Sequence, residues 1–182
     1  KINFYPNIIK ISNGSHSKHD KKCNNKNDLI EHYNKYFLNK NNVFCVEYID
    51  SYQKSLTSFI SLRLMVFNNE VIDYYFRPSN NWNIHTNDQN KNLVVESDKF
   101  FKTFYDSNKA HIQNYLNEVY KIYGNGFFTY DLIFNNNKLY ICEIGLKNYD
   151  DTYAYFINNN KIKLNKISLQ KDKLKQYYHD ML

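Results

Sequence analysis

Two carboxylates, Asp131 and Glu143, lie within GFFTYDLIFNNNKLYICEIG (Gly126–Gly145), among residues that otherwise favour burial. Acids at one end of an apolar hairpin can converge on a hard divalent cation. Whether these two cooperate depends on the turn Asn135-Asn136-Asn137. With all three asparagines in the loop, Phe134 faces Lys138, Asp131 pairs with Ile141 and Glu143 pairs with Thr129. Side chains alternate along a strand, so the acids then share a face as diagonal neighbours, with Cα atoms about 7–8 Å apart. A two-residue loop puts them on opposite faces. The three-residue loop is the expectation, closed by Asn137 in the left-handed region.

Two unpaired carboxylates on one face repel each other, and partial burial raises the cost. A cation relieves both. Mg²⁺ accepts one or two carboxylates and completes its octahedron with phosphate oxygens and water, so the pair suits a metal–nucleotide site better than a calcium cage. The residues alone leave another reading open: two edge acids facing solvent, or paired with Lys138 or Lys147.

The elements that must position this pair follow from patterning. Phe4–Ile11 reads as a strand, followed by a polar loop over residues 12–18. KNDLIEHYNKYFL reads as a helix with Asp28 and Glu31 as a capping box. Val43–Ile49 is a strand. SFISLRLMVF and EVIDYYFR are strands joined by Asn68-Asn69, since asparagine tolerates the positive φ of a two-residue hairpin turn. A polar excursion over 80–92 carries Trp82. Residues 108–123 form a helix stopped by Gly124, then comes the acidic hairpin. An amphipathic helix around Leu174, Tyr177, Tyr178 and Met181 ends the chain. This order implies α+β rather than alternating α/β.

Composition narrows the classes. The chain has 182 residues, enough for one domain or two small lobes, and its 18 Tyr and 13 Phe supply an aromatic core. Four Gly and two Pro exclude collagen-like or Pro-rich architecture. The net charge is +6, but the lysines are scattered and no arginine-rich run exists, so a solvated lysine surface fits better than a nucleic-acid groove. No apolar run approaches the ~20 residues of a membrane span, and no signal peptide is visible. Cys23, Cys45 and Cys142 are odd in number and widely spaced. Cys45 and Cys142 fall in apolar runs, which suggests buried thiols in a reducing, cytoplasmic compartment rather than disulfides or a zinc site.

The acidic hairpin resembles the metal-binding hairpin of the ATP-grasp superfamily, in which an aromatic GFFxxDL strand precedes a strand ending in an acid. FYPNIIKISNGSHSKH resembles that family's nucleotide-binding lysine strand and small-residue loop. VFCVEYIDS resembles the linker strand that reads adenine. SLRLMVFNNEVIDYYFRPSNNWNIHT resembles the arginine-bearing segment of ligases that extend a peptide's C-terminus. The likeness covers residues 4–148. It implies an ATP-grasp fold of two lobes, each an antiparallel sheet with packing helices, with an ATP cleft between them. The small lobe would span 1–46 and the large lobe 47–182.

The resemblance implies an ATP-dependent carboxylate–amine ligase that forms an amide or peptide bond through an acyl-phosphate, with ATP and Mg²⁺ as cofactors. Its substrates would be a small-molecule or peptide carboxylate and an amine. It assigns the nucleotide to Lys10, Gly14, Ser15, His16, Ser17, Glu47, Tyr48 and Ile49. Phosphoryl charge falls to Arg63 and Arg77, and the metal to Asp131 and Glu143. Plainer readings stand beside these: an edge lysine at Lys10, an ordinary polar turn over 14–17, surface ion pairs for the arginines.

Three features depart from the family pattern. Gly145 occupies the place of a metal-binding Asn, which Asn148, Asp150 or Asp151 would have to replace. The alternative is a catalytically silent module that binds nucleotide or a partner. HDKKC (His19–Cys23) falls where a strand belongs, yet is poor strand material. The chain also begins at the lysine strand, without the domain that usually precedes it, as a piece of a longer protein would. A further conflict concerns the arginines: a two-residue turn at Asn68-Asn69 puts Arg63 and Arg77 on opposite faces unless a bulge re-aims one of them.

Overall fold

The computed structural model describes residues 5–11, 20–37, 42–85, 89–135 and 138–145. The chain divides into two compact units, Lys1–Asp50 and Ser51–Leu182. The expected boundary, after residue 46, falls inside the first.

In the first unit, β1 (Asn7–Ile11) lies between β2 (Lys21–Cys23) and β3 (Val43–Glu47), all antiparallel. Ile9 and Cys23 are buried on this small sheet, and α1 (Lys26–Phe37) packs against its strands. The cap of α1 is Asn25, three residues before the expected capping box. Its Oδ1 accepts from the amides of Asn27 (2.9 Å) and Asp28 (3.0 Å), while Asp28 Oδ2 accepts from the Asn24 amide (3.0 Å). That satisfies the orphan donors of the first turn.

The segment expected to be poor strand material contributes β2. Lys21 is exposed and Cys23 is buried. Pairing with Asn7–Ile9 and burial of one side chain suffice, because strand propensity reflects packing context more than intrinsic preference.

The second unit is built on β5 (Ser58–Phe67), whose residues are buried on both faces for most of their length. It pairs with β6 (Glu70–Ser79) on one edge and β7 (Phe127–Asn135) on the other; β8 (Lys138–Gly145) lies beyond β7, and β4 (Tyr52–Gln53) pairs with the start of β5. All these pairings are antiparallel, so the α+β class stands. The turn between β5 and β6 is the expected Asn68-Asn69, with φ of 44° and 73°. Helix α2 (Val94–Tyr123) begins well before the expected Asn108. Phe100, Phe101, Phe104 and Tyr105 recur there at helical spacing and carry the helix through its charged residues. As expected, it stops at Gly124, whose φ is 73° and whose amide donates to the Tyr120 carbonyl (2.7 Å).

One face of this sheet forms the core. Ile60, Leu62, Leu64 and Val66 of β5, Phe76 of β6, four β7 residues from Phe128 to Phe134, and Leu139 of β8 pack with Phe101, Ile112, Leu116 and Val119 of α2. The opposite face carries the charged residues.

Candidate functional site

Two β-bulges aim these charges. From the Asn68-Asn69 turn, the β5–β6 register runs Phe67 to Glu70 and Val66 to Val71, then skips Ile72 and resumes with Met65 opposite Asp73. Arg63 therefore pairs with Tyr75, and Ser61 with Arg77. Residues two apart share a face, so Arg63 and Arg77 share one. The bulge that the conflict demanded is Ile72.

The acidic hairpin repeats the device. Asn135 pairs with Lys138, so the expected three-residue loop is a two-residue one, over 136–137. By itself that would separate the acids. The register then skips Cys142 and places Asp131 directly opposite Glu143. The acids reach one face after all, as immediate rather than diagonal neighbours. Asn137, expected to close the loop in the left-handed region, lies outside the described residues. Cys142, expected to be buried, is exposed because the bulge takes it out of the alternation. Cys23 is buried and Cys45 is half-buried; none of the three cysteines is in a disulfide.

On this face Arg63 of β5 sits opposite Asp131 of β7. The guanidinium grips the carboxylate at both ends, Nε to Oδ1 at 2.5 Å and Nη2 to Oδ2 at 2.7 Å. Arg77 adds Nη2 to Oδ1 at 3.2 Å. The trio is largely out of solvent, with side-chain exposures of 13% for Arg63, 8% for Arg77 and 16% for Asp131. Burial pushes the Asp131 carboxyl upward in pKa. The hydrogen bond from Arg63 and the charges of Arg77 and Arg63 outweigh it, and the group lies below its ordinary value. The Tyr75 ring, fully buried, lies 5.8 Å from the Arg63 guanidinium carbon and 5.9 Å from that of Arg77. Glu143 is exposed, and Gly145 sits opposite Thr129, which donates to the Gly145 carbonyl at 3.4 Å.

Asp131 and Glu143 offer the two carboxylates that Mg²⁺ needs when phosphates and water supply the rest. Among the described residues no group of three or more His, Cys, Asp or Glu side chains gathers, so a cation here depends on the ligand's oxygens. The Asp131 oxygens are already engaged by the arginines, and a cation must draw them away.

In the first unit Lys10 pairs with Phe44 across the strands and reaches Asp20 Oδ2 at 3.3 Å. Its side chain lies on the face opposite Ile9. Glu47 is exposed. The Tyr48 amide donates to the Pro6 carbonyl (3.2 Å), its hydroxyl donates to Asp50 (3.3 Å), and Lys22 Nζ sits 3.6 Å above its ring. Burial, followed by the Asp50 charge, lifts the Tyr48 hydroxyl to about 12. Ile49 is half-buried. Gly14, Ser15, His16 and Ser17 lie outside the described residues, as do Lys147, Asn148, Asp150, Asp151 and the expected C-terminal helix.

Sequence reasoning missed Ser61 and Tyr75. Ser61 lies opposite Arg77, and Tyr75 opposite Arg63, only because of the Ile72 bulge. The signal available was the conflict itself: two arginines of one segment on opposite faces under an unbulged turn.

No protein-family model matches the chain, and no curated protein matches it. Among solved structures, it is similar to the crystal structure of D-Alanine-D-Alanine Ligase from Helicobacter pylori, with 17% identity and a TM-score of 0.46. The match covers 86% of this chain and 42% of that one, so the chain spans less than half of that ligase. Among the described residues no helix is long and apolar enough to cross a membrane.

Proposed function

We propose that this chain is the nucleotide-handling part of an ATP-dependent carboxylate–amine ligase of the ATP-grasp type. The observation that carries the reading is the gathering of Arg63, Arg77, Asp131 and Glu143 on one sheet face by two bulges. The order of the motifs along the chain supports it.

In this reading the γ-phosphoryl of ATP passes to a substrate carboxylate oxygen. An amine nitrogen then attacks the acyl carbon, phosphate departs, and the nitrogen loses a proton to leave an amide. Phosphoryl transfer asks the protein mainly for positioning and charge neutralisation. Arg63 and Arg77 neutralise the charge that builds on the transferred group. Asp131 and Glu143 would hold Mg²⁺, which would supply charge neutralisation to the phosphates. By the resemblance, Lys10 would serve the nucleotide's phosphates as a point charge, and Glu47, Tyr48 and Ile49 would serve its adenosine. A peptide or amino-acid substrate in the cytoplasm completes the proposal.

Magnesium-dependent ADP release, assayed against a panel of amino acids and short peptides, tests it. Asp131→Asn and Glu143→Gln are each expected to lower turnover by about 100-fold or more. Nucleotide binding without ADP release for any acceptor would favour the catalytically silent module. Two observations favour that second reading: Gly145 replaces the usual third ligand, and Asp131 is already paired with both arginines.

A further inference from the structure

The turn between α2 and β7 places Gly126 directly after Asn125. The chain's other Asn-Gly pair, Asn13-Gly14, lies outside the described residues. An asparagine side-chain carbonyl carbon and the next backbone nitrogen are joined through so few bonds that they can close a small ring, and such intramolecular attack needs no bound partner. A side chain on the following residue hinders the approach, and glycine has none. Here the position must stay glycine, since a Cβ at Gly126 would lie 3.0 Å from the Phe128 ring. Asn125 is exposed, so water reaches it.

Two contacts distinguish this pair from an Asn-Gly in a free chain. The Tyr120 hydroxyl donates to Asn125 Oδ1 at 2.6 Å. That oxygen takes on negative charge when a nucleophile adds to the amide carbon, and a donor so placed stabilises the charge as it develops. On the other side, the Gly126 amide donates to Asn68 Oδ1 at 3.2 Å, and the Gly126 carbonyl accepts from the Asn68 amide at 3.1 Å. The bond that occupies the nitrogen is exposed and at the long end of the normal range, so it releases that nitrogen more readily than a short, buried bond would. The electrophile is held by the stronger contact and the nucleophile by the weaker one.

We propose that Asn125-Gly126 is a self-modification site of the folded protein, with the Tyr120 hydroxyl as the group that promotes it. The Gly126 nitrogen gives up its proton to solvent and bonds to Asn125 Cγ. The Cγ–Nδ2 bond then breaks, and ammonia leaves after taking a proton from solvent, so that a cyclic imide remains. Water opens the imide at either carbonyl, which yields aspartate or isoaspartate at position 125. The net change is water in and ammonia out, with nothing oxidised or reduced. A carboxylate then stands just past Gly124, at the end of α2 where the helix carbonyls already concentrate negative charge. In the isoaspartate form the main chain is also longer by a methylene, which strains the two bonds holding Gly126 to Asn68. The site lies apart from the arginine–carboxylate face and is independent of the ligase reading.

The test ages the full chain, folded in buffer and, in parallel, unfolded in guanidinium chloride, at one mildly alkaline pH. Trypsin releases the peptide from Ile122 to Lys138, and fragment masses place any amide-to-acid change at Asn125 rather than at residues 135–137. The folded parent should lose the Asn125 amide and give both aspartate and isoaspartate. Tyr120→Phe should slow that loss about tenfold, the size of one hydrogen bond to a charged oxygen. The same substitution should leave the unfolded rate unchanged, because the turn that brings the hydroxyl to Oδ1 is then gone. The proposal falls if the folded parent keeps the amide while the unfolded chain loses it, since Asn68 would then be protecting the site. It falls equally if Tyr120→Phe has no effect on the folded rate, if it slows the unfolded chain as much, or if aspartate forms without isoaspartate, which would mean direct hydrolysis and no ring.

Discussion

The two faces of the large sheet are made by the same strands and behave in opposite ways. One face is apolar and packs on α2. There the Phe101 ring lies 4.4 Å from Tyr74 and 4.8 Å from Phe76, between centroids. The other face buries a guanidinium pair around one carboxylate. The strands between them differ too. The central β5–β7 pair keeps one register from Leu62 to Phe67, whereas the flanking β6 and β8 each skip a residue. Without the skip at Ile72, Asp73 and Tyr75 would face the core and Phe76 would face the charges. Without the skip at Cys142, Glu143 would point into the core opposite Tyr130. The separation of apolar from charged therefore depends on bulges in the outer strands as much as on alternation in the inner ones.

The largest effects should come from striking each face at its centre. Phe101→Ala removes a fully buried ring and should cost about 3–5 kcal/mol. Asp131→Ala should cost a similar amount, about 3–5 kcal/mol, because it strands two buried guanidinium groups without a counter-charge. The faces should then part company on repair. Replacing Arg63 and Arg77 by Met alongside Asp131→Leu should recover most of the loss, since apolar groups of similar volume can replace a buried ion cluster. No change of charge should recover Phe101→Ala. Urea unfolding of the full chain measures all four proteins, and a loss below 1 kcal/mol for Asp131→Ala would reduce the charged face to surface decoration.

Acid should sharpen the contrast by a smaller margin. The folded Asp131 carboxyl titrates below its ordinary value of 3.8. A depressed carboxyl contributes stability that is present above the unfolded value and is lost as pH falls through the folded one. The parent protein should therefore lose stability below about pH 4 relative to Asp131→Asn, which has no proton to take up there. Urea midpoints compared at pH 7 and pH 3 measure the difference. Parallel losses in both proteins would assign the acid sensitivity to other groups.

The strands themselves were readable from residue pattern. The alternation from Ser58 to Arg77 and the Asn68-Asn69 turn define the first hairpin, and Gly124 marks the end of α2. The path that brings the charges together was not. Loop length and bulge position are set by tertiary packing, and a two-residue turn with a bulge gives the same side-chain parity as a three-residue turn without one. Asp131 and Glu143 thus shared a face for a reason different from the one their spacing suggested. The Asp131–Arg63 bond was invisible for another cause: β5 and β7 are far apart in sequence, and their register follows from core packing on the opposite face. The start of α2 was hidden by the charges scattered among its aromatic residues.

The equivalence of a short turn with a bulge and a long turn without one makes a last, small-effect test possible. Deleting Cys142 joins Ile141 directly to Glu143, and Leu132–Ile141 and Asp131–Glu143 become successive partners of a regular ladder. Every core residue of β8 keeps its face, and the residue removed is exposed. The deletion should therefore change stability by less than about 1 kcal/mol. A cross-strand disulfide reports the register. Thr129 and Gly145 are direct partners beyond the bulge, and direct antiparallel partners have Cα separations of about 4.5–5.5 Å, within disulfide reach. Thr129→Cys with Gly145→Cys should cross-link both in a Cys142→Ser background and in the Cys142 deletion, as read by mobility under non-reducing conditions. If the deletion abolished the cross-link and cost several kcal/mol, the extra residue would be doing more than setting parity, and the β8 edge would depend on the bulge's own twist.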